Sequence, residues 1–374
     1  MLGYSDGHRT PSRMTSVMIS LAVVSLLGLL PPALGGSTAN AGTITYTCDP
    51  NVDSVVAGTC ATLNTTIANL YDSTFTNANA NIYIQYGTTG LGESTTGFEN
   101  LVSYDQYRAA LAATASNDAV DMGALASLPG GEPSLFSGGK IEVTSALGEA
   151  LGLPGMIGTT ATGSSCSIGA AGCYNGIITI ATPDDLLASS GGTQTLFYRN
   201  GVQPADAYDY YTVVERETDE VLGTSSCVST GGGGLSDGCG GAIASAADLF
   251  RYNAGNRVFE NVTPGAYFSY DGGATNGAGG AIYNTLANSE DYAYFVSSCA
   301  HVQEATGCLG KSLDITSDGK SEIQILDAVG FNVVGGAGVA AAPEPATWAM
   351  MLMGLLGIGA VLRNARDRRL QAAA

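Results

Sequence analysis

The sequence predicts an α+β or α/β layer fold, and three observations point that way. Strand-like and helix-like segments mix in uneven order along residues 42–334. Apolar residues make up 45% of the chain, with 18 tyrosines, which is enough for a packed core and too much for intrinsic disorder. The eight cysteines fall in four close pairs, the pattern of an exported, cross-linked domain. At 374 residues the chain has room for one large domain or two. The segment 42–334 reads as one, with glycine-rich loops and no internal repeat.

The elements follow from periodicity. In Ala80–Gly87, Ile82, Ile84 and Tyr86 alternate with Tyr83 and Gln85, the period of a half-buried strand. Tyr104–Thr114 has the alanine content and apolar spacing of a helix. A second short helix is expected over Glu142–Gly152, stopped by Gly152 and Pro154. Gly176–Ala181 is a β-branched strand. Helices are expected over Asp206–Leu222 and Ala244–Tyr252, and Ile323–Val334 closes the domain as strand or short helix. The glycine- and alanine-rich stretch 335–342 is a flexible linker.

Charge excludes one class of partner. The net charge is −19, and the segment 42–342 is more acidic still, because six of the 14 bases (Arg9, Arg13, Arg363, Arg366, Arg368 and Arg369) sit at the two ends. Such a surface repels phosphate backbones, so no nucleic-acid partner is expected.

Both ends read as addresses. Arg9 and Arg13 precede the apolar run Val17–Leu30, and Ala39-Asn40-Ala41 supplies an A-x-A site, so residues 1–41 form a secretory signal peptide. Translation from Met14 in place of Met1 would remove both arginines from that segment. At the other end, Pro343-Glu344-Pro345 precedes a short apolar segment, Trp348–Leu362, and then the arginine cluster. Fifteen residues at 1.5 Å rise make a marginal span, and the arginines would hold the tail on the cytoplasmic side. This order over 343–369 resembles the PEP-CTERM sorting signal of Gram-negative bacteria. The resemblance implies transient anchoring in the inner membrane through 348–362, cleavage by an exosortase-type protease, and delivery to the cell envelope or extracellular matrix.

The cysteine pairs Cys48/Cys60, Cys166/Cys173, Cys227/Cys239 and Cys299/Cys308 read as four local disulfides, each contributing about 2–3 kcal/mol in the chain-entropy picture. Their spacing lacks the C-x-x-C or partner histidines of a metal site.

The segment AYDYYTVVERETDEVLG, Ala207–Gly223, reads as a helix capped by Asp206 or Asp209 and stopped by Gly223. Tyr210, Val213, Val214 and Val221 share one face, and Glu217 falls in the middle of that stripe. A carboxylate there faces a core or a cleft and must be paired, protonated or bound to metal. Glu220, one turn on, reaches the same point.

Arg216-Glu217-Thr218-Asp219-Glu220 aligns with the H-E-x-x-H helix of zinc metalloproteases. With YDYYTVVERETDEVLGTSSC, DLFRYNAGNRVF and SEIQILDAVGFNV, the chain resembles secreted bacterial metalloprotease-like proteins that often end in PEP-CTERM tails. The resemblance implies a zincin-like domain with a mixed sheet and a central active-site helix, with Glu217 as general base, Glu220 as a zinc ligand and a histidine at position 216. Arg216 stands there, and a guanidinium offers no lone pair. The expectation is therefore a metalloprotease-like protein with a degenerate zinc site. Two alternatives stay open: a non-catalytic matrix or surface protein that binds a peptide or matrix polymer, and an active metallopeptidase with a carboxylate-rich site. An exposed Arg216–Glu220 pair, worth about 0.3–0.5 kcal/mol, would explain those two residues but not Glu217.

Other segments are weaker. Ser145–Glu149 with the following ALGL superficially resembles zincin text but reads as packing. Asp314–Gly319, with Glu322 and Asp327 nearby, opens like a calcium loop, yet Ile325 stands where an EF-hand needs an acid. A looser calcium site and a solvated Asp-Gly turn are the two readings of that segment. Ser225 and Ser226 lack a base, since His301 is the only histidine after residue 41, and His301 reads as a surface loop residue.

Overall fold

The computed structural model describes residues 42–96, 100–130, 139–228, 243–259, 264–283, 294–296, 298–304 and 306–335. The signal peptide and the sorting segment predicted above lie outside them.

Seven strands organise the domain: β1 (Thr43–Cys48), β2 (Asn79–Gly87), β3 (Gly92–Thr96), β4 (Asn100–Ser103), β5 (Lys140–Val143), β6 (Gly176–Ala181) and β7 (Ile243–Ser245). The larger sheet runs β1-β2-β6-β3, with β1, β2 and β6 parallel and β3 antiparallel at the edge. Residues Ile82 and Ile84 of β2 point into the core, while Tyr83 and Gln85 lie on the half-buried face, as the alternation predicts. Strand β6 is buried almost throughout, which is why it reads as a continuous apolar run. A second sheet runs β7-β5-β4. The fold is thus mixed α+β.

The helices that matter are α1 (Ala68–Thr74), α2 (Tyr104–Thr114), α3 (Ala119–Ser127), α4 (Ser145–Ala150), α5 (Tyr210–Asp219) and α6 (Ser321–Val329). Helix α2 has the predicted limits because Ser103 and Gln106 form a reciprocal capping box at its start. The segment left open at the end of the domain is the helix α6.

Two of the expected helices differ here. The helix expected from Glu142 starts at Ser145, because Ile141 and Val143 belong to β5 and Thr144 caps the backbone N–H of Leu147. The Ser145–Glu149 segment is packing, as expected, with Ala146 and Leu147 buried. The helix expected over Ala244–Tyr252 is instead strand β7, a 3₁₀ turn at Ala247–Phe250 and a further strand at Arg251–Asn253. Asp248 breaks the helix by accepting hydrogen bonds from the backbone N–H groups of Cys227 and Ser245 and from Ser226 Oγ.

Disulfides join Cys48 to Cys60, Cys166 to Cys173 and Cys299 to Cys308. Cys227 is also disulfide-bonded, and its predicted partner Cys239 lies outside the described residues.

Candidate functional site

Helix α5 starts later than Asp206 because Ala207–Asp209 pairs as a short strand with Thr195–Phe197. The Asp209 side chain then caps Thr212 N–H at 2.8 Å and takes an ion pair from Arg199 at 2.9 Å. After Asp219 the ladder opens into a π turn, Glu220–Thr224, inside which Gly223 leaves helical geometry with φ +134°. Eight of the ten residues of α5 are buried, more than the one-sided stripe implies. Tyr46 and Tyr71 account for the difference: Tyr46 Oη hydrogen-bonds Thr218 at 2.9 Å, and Tyr71 Oη donates to Asp219 at 2.8 Å. They fasten the far side of α5 to β1 and to α1.

The near side of α5 lies against β3 and β6. A Cβ on Gly92 would sit 2.6 Å from Val213 Cγ1 and 2.9 Å from Glu217 Oε1, and one on Gly176 would sit 2.6 Å from Val221 Cγ2. Absent side chains at these two positions let the helix approach the sheet closely enough to set its carboxylates beside the edge strand.

Glu217 and Glu220 share a cleft with Glu93, Ser94, Ser225 and Tyr294, a space of about 430 Å³. Ser94 Oγ donates to Glu220 Oε2 at 2.5 Å, and Gln303 Nε2 reaches Oε1 at 3.4 Å. Arg216 pairs with Glu217 at 3.7 Å, and its guanidinium lies 4.0 Å from the centroid of the Tyr294 ring. Burial works against the charge on Arg216, but Tyr294, Glu217 and Glu220 outweigh it and hold the guanidinium more firmly protonated than usual. The cleft therefore brings both predicted carboxylates together, and the Arg216 guanidinium pairs with one of them without lining the cleft itself.

Does this donor set suit zinc? It does not. Arg216 fills the expected ligand position with a charged group that pairs to the expected base. His301, the remaining histidine, is half-buried rather than a surface residue: its ring bonds Ser321 Oγ at 2.9 Å and packs edge-on to Phe295. Among the described residues, the one set of three ligand-type side chains within coordination distance is Asp118, Asp121 and Asp327, outside this cleft. No zinc chemistry can be assigned to Glu217 or Glu220 on this geometry.

Behind the cleft lie acids that the periodicity did not flag. Glu215 is buried and accepts from Ile315 N–H at 3.1 Å, and Asp219 is buried under Tyr71. Burial pushes both carboxyls well above the usual range, and the Asp219 shift is reinforced by Asp318 and Glu220. Glu322 is pushed up by burial and by Asp318, with which it shares a hydrogen bond. The Asp318-Gly319 turn is not the solvated one expected, because Asp318 is buried. Asp314 is tied up by Thr316 and Ser317, while Asp318 turns inward and accepts from Val302 N–H, Lys320 N–H and Ser321 Oγ. Ser94, Tyr294 and Gln303 carried no sequence signal, because they reach the cleft from three separate loops and strands.

Residues 341–369 match the PEP-CTERM protein-sorting motif. Pro343, Glu344, Pro345 and the arginine cluster all fall inside that match. PEP-CTERM signals are recognised by exosortases, and the motif implies an exported protein sorted to the cell envelope or extracellular space. No curated protein and no solved structure matches the chain. Among the described residues no helix is long and apolar enough to cross a membrane, and the PEP-CTERM apolar segment 348–362 lies outside them.

Proposed function

We propose that this PEP-CTERM protein carries a metalloprotease-like domain whose zinc site has degenerated into a binding cleft for extended, basic polypeptide. One observation supports the reading above the others: three carboxylates, Glu93, Glu217 and Glu220, line a cleft that runs beside an antiparallel edge strand. An edge strand offers backbone donors and acceptors to an added chain. The carboxylates offer a place for a lysine or arginine side chain of that chain. Arg216 neutralises Glu217, which leaves Glu220 as the principal acceptor. The reading as a non-catalytic matrix or surface protein is compatible with this one. It is favoured over an active metallopeptidase because Arg216 pairs with the residue that would have to act as base.

The test is fluorescence anisotropy of the full chain with a labelled, extended lysine-rich peptide, beside a casein-type cleavage assay with added zinc. The expected result is salt-sensitive binding without cleavage, weakened about tenfold by Glu220→Gln, the size of a ~1.4 kcal/mol loss. Equal binding of a glutamate-rich peptide, or cleavage of casein, would sink the proposal.

A further inference from the structure

A second acidic cluster lies away from the cleft. Asp118 caps α3, accepting the backbone N–H of Asp121 at 2.9 Å. Asp121 sits in the first turn of α3, and Asp327 comes from the last turns of α6, which packs against α3. One carboxylate oxygen from each of the three lies within 4.8 Å of the other two. Two oxygens bound to one calcium ion at about 2.4 Å can be at most twice that distance apart, so the spacing suits a shared calcium sphere.

A cluster of acids alone proves little, because acids often gather on exposed surfaces. Here Asp121 is 0% and Asp327 3% exposed. Oδ1 of Asp121 and Oδ1 of Asp327 are both buried with no hydrogen-bond donor. The other oxygen of Asp121 is satisfied, since Ser116 N–H and Oγ donate to it at 2.6 and 2.7 Å. None of the ion pairs between described residues reaches any of the three. Converging carboxylates with buried bare oxygens and no cationic side chain lack a positive partner, and burying them without one is costly.

We propose that Asp118, Asp121 and Asp327 bind a calcium ion that clasps α3 to α6. The ligands are all hard oxygens, which excludes soft-metal preference. Calcium suits the spread better than magnesium, which demands near-ideal octahedral bonds of about 2.0–2.1 Å. Asp118 is only half-buried, so water can complete the coordination from its side. The competing arrangement is a proton, with neutral Asp327 donating to Asp118.

The experiment is calorimetric titration of the chelator-stripped full chain with calcium chloride, together with thermal melts at each calcium concentration. Expected are one equivalent bound, with Kd in the range of about 10⁻⁴–10⁻³ M found in extracellular modules, and a saturable rise in Tm. Asp327→Asn and Asp118→Asn should each weaken the calcium response at least tenfold. Asp327→Asn should also melt no lower than the stripped wild type, since the amide can donate to Asp118 without having to take up a proton. If Asp327→Asn does not fold, Asp118→Asn, at the half-buried position, decides alone. Neither heat nor Tm shift up to about 10 mM calcium would overturn the proposal. So would a response unchanged in the folded variants, which would put the ion elsewhere.

Discussion

Arg216→Ala is expected to destabilise the fold by about 3–5 kcal/mol at pH 7, the usual cost of removing one partner of a buried ion pair. The side chains of Arg216 and Glu217 are only 12% and 1% exposed, so solvent screens the pair weakly. The arginine also gives up its stacking on Tyr294. Part of the loss is the Glu217 charge left without its arginine, so adding Glu217→Gln to Arg216→Ala should recover some of it. Urea unfolding of the single and double variants beside the wild type at pH 7 checks this. A variant within about 1 kcal/mol of wild type at pH 7 would mean that the pair is a surface feature.

The second large effect is on the wild type: stability should fall as pH rises from 5 to 8. Glu215, Asp219 and Glu322 have carboxyls raised well above the usual range, in each case by burial first. For such groups stability is fully present below the unfolded value near 4, and is lost as pH rises toward the folded value. Wherever the folded state holds a proton that the unfolded state has released, each such group lowers stability as pH rises, by up to about 1.4 kcal/mol per pH unit. Asp327, pushed up to about 9 by burial and by Asp118 and Asp121, adds with the same sign when calcium is stripped away. Asp271 and Asp314 are shifted down by their hydrogen bonds, so their contribution is lost only below pH ~4, outside the window. Melts in chelator at pH 5, 6.5 and 8 measure the trend. A flat or rising profile would show that the buried acids are ionised and compensated.

Local rules made much of this fold readable. Tyr104–Thr114 and Gly176–Ala181 form with their predicted limits because a capping box and a β-branched run specify them without tertiary help. Glu217 was legible because a carboxylate interrupts an otherwise apolar stripe, and it lies 1% exposed on the cleft wall. The Ala244–Tyr252 helix failed because Asp248 finds its partners at Ser226 and Cys227, far upstream in the chain. The same holds for the cleft's second wall. Ser94 and Gln303 join Glu220 from 126 and 83 residues away, and no local pattern encodes that meeting. Neither Gly92 nor Gly176 carries a local signal of its role at the cleft. Only the approach of α5 shows that their missing side chains make the cleft geometry possible.

If Glu217 and Glu220 line a cleft without zinc chemistry, the full chain should not retain zinc. Elemental analysis after purification without chelator, with zinc added and the excess removed, should find well under one equivalent of zinc, unchanged by Glu220→Gln. One equivalent of retained zinc that disappears in Glu220→Gln would contradict the account and restore the metallopeptidase reading.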